Sequence, residues 1–231
     1  MSGKILKNAS SLLLVQVLNP LLGMAFVITL ARIDGAAGLG VYMFALSLVN
    51  IFDNIAGLGL REYLIREVGK NPSQWPALHN SAMAVGLAAA LLAQLLMLAF
   101  AKVAGYDAET LNGLFAVSFS LMPAVMLYIS VSFLYAFDHM AIASAVFIIE
   151  TIVRTVLGLL IIYYGLGMHW LLISFTFSRI AAAAMAGWAQ CKHLGTPGRV
   201  WNRQVLRNLL NAAPTFALMA ILATVYWRLN I

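Results

Sequence analysis

Charge is scarce in this chain. Only 10% of its 231 residues are Asp, Glu, Lys or Arg, against about 25% in an ordinary soluble domain. A soluble fold of this length would have too few polar groups to face water, which argues against a cytosolic enzyme or a DNA-binding domain. There is one cysteine, Cys191, so neither an intrachain disulfide nor a cysteine-cluster metal site is available. His79, His139, His169 and His193 sit at the ends of apolar runs, without metal-ligand spacing. No aspartate-rich cluster for Mg²⁺-diphosphate, no G-x-S-x-G and no Walker loop is present. Gly57-Leu58-Gly59 is a lone G-x-G and reads as packing or a turn. The chain carries no signature of an enzyme and implies no cofactor.

What it has instead is apolar length. Hydrophobic residues make up 63% of the chain and the mean hydropathy is +0.92. A bilayer core about 30 Å thick needs roughly 20 apolar residues of helix. Residues 9–31, 75–101 and 111–137 contain no charge, and 39–60 contain only Asp53. The long stretch from Met140 to Cys191 is divided by Tyr163-Tyr164-Gly165-Leu166-Gly167, where paired glycines permit a tight turn and aromatics suit an interface. That gives spans at 141–164 and 168–190, and a seventh from 209 to 231. The uncharged run at 9–31 exceeds a signal-peptide core, so it reads as a retained helix. The chain is a polytopic, all-α membrane protein.

With the N-terminus in the cytoplasm, nine Lys and Arg fall in inside loops and two, Arg32 and Lys102, outside. That bias sets the expected orientation. The formal net charge of +6 then belongs to cytoplasmic loops and to anionic lipid or phosphate, with no nucleic acid partner. Residues 61–76 read as a short helix on the inner surface, paired through Glu62 and Arg66 and stopped at Asn71-Pro72. Residues 192–208 form the most basic loop, placed as a linker between residues 1–191, a six-helix bundle, and 209–231, the first helix of a second bundle. Leu30-Ala31-Arg32 and Tyr226-Trp227-Arg228 stand 196 residues apart, as do Lys7 and Arg203. A parallel repeat of two six-helix halves predicts such matches.

Polar residues within the spans carry the functional reading, because a charge at mid-membrane costs about 2.5–3.5 kcal/mol on insertion scales. Glu150 and Arg154 lie four apart on one face of span five, either as a self-neutralising pair or with Glu150 holding Arg154 toward a cavity. Arg179, at the centre of span six, has no carboxylate three or four residues away and needs a partner from another helix, water or a ligand. Asn50, Asp53, Asn54 and Gly57 share a face of span two, where Asp53 either pairs with an arginine or serves as a proton or cation site. Pro20, Pro123 and Pro214 are expected to bend their helices. Arg154, Arg179 and Arg228 together suit an anionic ligand, since guanidinium forks match phosphate oxygens.

Several short motifs point further. They are Gly38-Leu39-Gly40-Val41-Tyr42, Gly57-Leu58-Gly59-Leu60, Leu64-Ile65-Arg66-Glu67-Val68, Ala213-Pro214 and Tyr226-Trp227-Arg228-Leu229-Asn230. In these the chain resembles the N-terminal half of a bacterial polysaccharide flippase of the multidrug/oligosaccharidyl-lipid/polysaccharide (MOP) transporter superfamily. The resemblance implies a MATE-like fold of two six-helix bundles around a cationic cavity. It implies that undecaprenyl-diphosphate-linked oligosaccharide moves from the cytoplasmic to the periplasmic face of the bacterial inner membrane. Membrane lipids, a glycan polymerase and glycosyltransferases are the expected partners. Asn230 departs from the family, which often has aspartate there. The alternatives are a cation-coupled multidrug exporter, with Asp53 and Glu150 as coupling sites, and a non-transporting scaffold of glycan assembly.

Overall fold

The computed structural model describes the backbone of residues 2–57, 59–106 and 108–229, and the side chains of 13–57, 59–106, 108, 110–216 and 218–219. Nine α-helices are found among these residues, with no strand: α1 (Ser2–Ile33), α2 (Gly35–Gly57), α3 (Leu60–Lys70), α4 (Trp75–Val103), α5 (Ala108–Ser118), α6 (Leu121–Ala136), α7 (Met140–Tyr163), α8 (Met168–Leu194) and α9 (Arg203–Leu229). Six stretches of the described residues are long and apolar enough to cross a membrane. The expected seventh falls on α9, much of which lies outside the described side chains.

The turns form where the chain chemistry requires them. Gly165 (φ +63°) and Gly167 (φ +88°) take the left-handed backbone that separates α7 from α8. Asn71 ends α3 and Pro72 opens a single 3₁₀ turn leading into α4. The fourth span is two helices, broken at Phe119-Ser120. Pro123 accounts for the break: it has no N–H to give, and its ring would strike the carbonyl four residues back, at Phe119. By contrast α1 and α9 each run through their proline, Pro20 and Pro214, as one helix.

The bundle is held by close approach of small residues. Lipid tails are as apolar as leucine, so packing and interhelical hydrogen bonds hold membrane helices together. A Cβ at Gly158 would collide with the Phe26 ring, so α1 seats directly on α7. Ala182, Ala183, Ala186 and Ala189 of α8 meet Leu127, Val131 and Leu134 of α6 and Ala143 and Val146 of α7. Thr176 of α8 donates to the Ala116 carbonyl of α5 at 3.0 Å, and Gln94 of α4 donates to Ser118 of α5 at 3.3 Å. The outer surface is the reverse of a soluble protein's. Leu14, Val17, Leu21 and Met24 of α1 and Leu91, Leu92, Leu95 and Leu96 of α4 are all exposed. Apolar surface on this scale needs lipid to cover it.

Boundaries at the linker differ from expectation. α8 continues through Lys192 and His193 to Leu194, where basic residues suit a helix C-terminus. α9 begins at Arg203 because the Asn202 side chain accepts from the Gln204 N–H (2.9 Å) and the Val205 N–H (3.4 Å), a helix N-cap. The connection is therefore 195–202. It is held down by Asn80 of α4, whose Nδ2 donates to the carbonyls of Gly198 and Val200, each at 2.9 Å. α9 then docks on the α2–α3 turn, with the Phe216 backbone against Gly59 and its ring 5.5 Å from Tyr63.

Candidate functional site

Four helices converge on one buried guanidinium. Arg179 of α8 is 6% exposed. Its Nη2 lies 3.2 Å from Asp53 Oδ2 of α2, and its Nε 3.1 Å from Glu150 Oε1 of α7. Its Nη1 donates to the Tyr128 hydroxyl of α6 at 3.2 Å. The rings of Phe175 and Tyr128 lie 5.3 and 5.6 Å from the guanidinium carbon. A charge can persist at this depth only when opposite charge and hydrogen bonds replace its lost hydration. The cation that lacked a partner on its own helix finds three on others.

Glu150 is where spacing along one helix misleads. The i,i+4 relation to Arg154 suggests a pair within α7, yet the Glu150 carboxylate turns to Arg179. Both acidic oxygens and the guanidinium are shielded there, and attraction between them is strongest away from water. Arg154 is half-buried, its guanidinium 5.7 Å over the face of Phe175. Phe175 thus meets both arginines. Arg228 lies outside the described side chains. On α3, Glu67 takes the basic partners, Lys70 at 2.6 Å and Arg66 at 3.7 Å, in place of the expected Glu62–Arg66 pair.

Above the cluster lies a cleft. A cavity of about 300 Å³ opens between α2, α3 and α6, with polar walls of Asn50, Asp53, Asn54, Arg61, Glu62 and Tyr128. The polar face of α2 divides here. Asp53 turns inward and is 8% exposed, while Asn50 and Asn54 remain open, with Asn54 Nδ2 donating to the Asn50 carbonyl at 2.8 Å. Carboxamides presented to hydrocarbon would be costly, so this face requires water, a ligand or another protein surface. Arg61 at the mouth lies 5.0 Å over the Tyr135 ring. Asp53 Oδ1 has no hydrogen-bond partner among the described residues. Arg154 and Arg179 do not line this cleft; Arg179 grips two residues that do.

Tyr128 was not legible as a site residue, although a hydroxyl-bearing aromatic deep within a span, away from an interface belt, is a usable signal. A second cavity, of about 370 Å³, lies at the opposite end of α2 against α5 and α8, with largely apolar walls that include Val41, Phe44 and Leu172. Among the described residues no group of three His, Cys, Asp or Glu is placed to hold a metal ion. His139 and His193 face each other with ring centres 5.1 Å apart, where α6–α7 and α8 end together.

The architecture has counterparts of known structure. A MOP superfamily transporter from Pyrococcus furiosus, described as having a binding pocket of reversed polarity that suggests a different function, superposes with a TM-score of 0.73 at 13% identity, over 94% of this chain and 52% of its own. A multidrug resistance MATE family transporter of the same superfamily in its outward-facing conformation gives 0.75 at 13% identity, over 94% and 52%. A MATE protein in complex with MaD5 gives 0.65 at 13%, over 96% and 55%. The chain thus spans about half the length of these transporters and has the fold of a half-transporter. No curated protein gives a significant sequence match. The family model for polysaccharide biosynthesis proteins matches residues 5–231, and the chain, a multi-pass membrane protein with a MOP transporter fold, belongs to that family.

Proposed function

We propose that this chain forms the N-terminal half of a flippase that carries polyprenyl-diphosphate-linked oligosaccharide across the bacterial inner membrane by alternating access. The observation that carries the reading is the polar cleft of α2, α3 and α6, sunk in a bundle whose outer face is apolar and closed below by the Arg179 cluster. The family of polysaccharide biosynthesis proteins supplies the substrate class. Headgroup and sugars cross through the polar interior while the lipid tail stays in the bilayer. The N-terminus is cytoplasmic, in keeping with the distribution of Lys and Arg between loops. No covalent step is required of the protein.

In this mechanism Arg154 and Arg228 hold the diphosphate as the bundles rock. Arg179 joins them by exchange: a phosphate oxygen reaches it from the side of Arg154 by displacing Glu150, and the freed carboxylate loosens α7 from α8. Substrate binding and helix rearrangement are then one event, because the ligand has different contacts in the two arrangements. Asn50 supports the wall beside Asp53.

A second reading is a cation-coupled multidrug exporter. It is favoured by the likeness to a multidrug MATE transporter and by a cluster that holds two carboxylates for one arginine. The full-length protein in proteoliposomes separates the two. A flippase transfers a fluorescent polyprenyl diphosphate bearing a short glycan between leaflets at a rate at least tenfold above protein-free vesicles. Cation-dependent efflux of an amphiphilic drug with no glycolipid transfer would establish the exporter instead. Neither activity would point to a scaffold.

A further inference from the structure

We infer that the cleft between α2, α3 and α6 is a sugar subsite selective for neutral or amino sugars over uronic acids, an inference that rests on the flippase reading. The wall chemistry is that of hydroxyl recognition. A sugar hydroxyl donates one hydrogen bond and accepts others, so its site needs planar groups of both kinds side by side. Asn50 and Asn54 offer carboxamides with both functions, Arg61 offers donors, and Glu62 and Asp53 offer acceptors. Asp53 gives the clearest sign of a ligand: its side chain is 9% exposed, it lines the cavity, and its Oδ1 has no partner among the described residues. A buried carboxylate oxygen left unmatched costs the fold stability unless a donor arrives to meet it. A cavity of about 300 Å³ is at the small end of ligand pockets, which suits one sugar ring.

Charge decides which sugar. Asp53 and Glu62 line the cleft and Glu150 lies behind it, against Arg61 at the mouth and Arg179 beneath. Three carboxylates outnumber two arginines, and Arg179 is already held among Asp53, Glu150 and Tyr128. A second anion in this space would meet that surplus of negative charge, and low-dielectric surroundings strengthen the repulsion. A neutral hexose avoids the repulsion, and a protonated amino sugar gains from it. The diphosphate must therefore sit elsewhere, on the side of Arg154, and the cleft reads the glycan.

The test is equilibrium binding to the full-length protein in lipid nanodiscs, with four probes sharing one short polyprenyl diphosphate. One carries a hexose, one a hexosamine, one a hexuronic acid, and one no sugar. The hexose and hexosamine probes should bind about tenfold more tightly than the hexuronic acid probe. Glu62→Gln, at an exposed position tolerant of change, should narrow that gap severalfold by improving the hexuronic acid probe. Asn54→Leu should bring the hexose probe down toward the sugar-free lipid. Equal or tighter binding of the hexuronic acid probe would overturn the subsite, as would a hexose probe no better than bare lipid; either leaves the flippase standing. Binding of none of the four would remove the flippase reading and the subsite with it.

Discussion

The Arg179 guanidinium of α8 and the Asp53 carboxylate of α2 lie 3.2 Å apart, across 126 positions of sequence. This contact ties the second span to the sixth. With Glu150 and Tyr128 it makes one polar joint of α2, α6, α7 and α8. Removing the cation strands two carboxylates in the bundle. Arg179→Ala should destabilise the fold by about 3–5 kcal/mol, the scale measured for breaking buried pairs. Combining it with Asp53→Asn and Glu150→Gln should recover much of the loss. Thermal unfolding in detergent followed by size-exclusion fluorescence reads both, and a triple variant no more stable than the single would contradict the joint.

Gly59 is a close contact on which α9 rests. Its φ of +62° is left-handed, and a Cβ there would lie 2.5 Å from the Phe216 carbonyl oxygen. A side chain pays about 1–2 kcal/mol for that backbone alone, before the collision. Gly59→Ala should therefore undock α9, whereas Gly57→Ala, with nothing within 4 Å of the new atom, should be silent. Crosslinking between cysteines placed at Tyr63 and Phe216 compares the two directly.

The linker is pinned by a single carboxamide. Asn80→Leu removes both hydrogen bonds to Gly198 and Val200, worth about 0.5–1.5 kcal/mol each. Arg199 should then become a faster site for trypsin in purified protein, with the melting temperature nearly unchanged. Equal cleavage rates would show that the bonds do not restrain the loop.

Orientation can be read from the chain's own thiol. Cys191 is exposed near the end of α8. A membrane-impermeant maleimide should label it in inside-out vesicles and leave it unlabelled in intact spheroplasts. The opposite pattern would invert the topology and place the basic linker outside.

Spans and turns were legible because they depend on local chemistry. About twenty apolar residues must be helical in lipid, and Gly165, Gly167 and Asn71-Pro72 punctuate the chain by backbone preference alone. Pro123 was visible as a disturbance, though its effect was a break at Phe119-Ser120 and not a bend. What sequence could not supply was pairing between helices. Spacing along α7 offered Arg154 to Glu150, while the partner chosen, Arg179, is set by how α7 and α8 cross. That Arg179 needed a partner could be read; that it would take Asp53, Glu150 and Tyr128 together could not.

The proposed transfer of lipid-linked glycan across the membrane has a direct consequence in the cell. The most direct measurement depletes the intact protein in its native cell and determines on which membrane face lipid-linked glycan gathers, using an impermeant glycan-modifying enzyme on oriented vesicles. Glycan should build up on the cytoplasmic face, and wild-type protein supplied in trans should clear it. Glycan that reaches the outer face at the normal rate without the protein would contradict the proposed transfer.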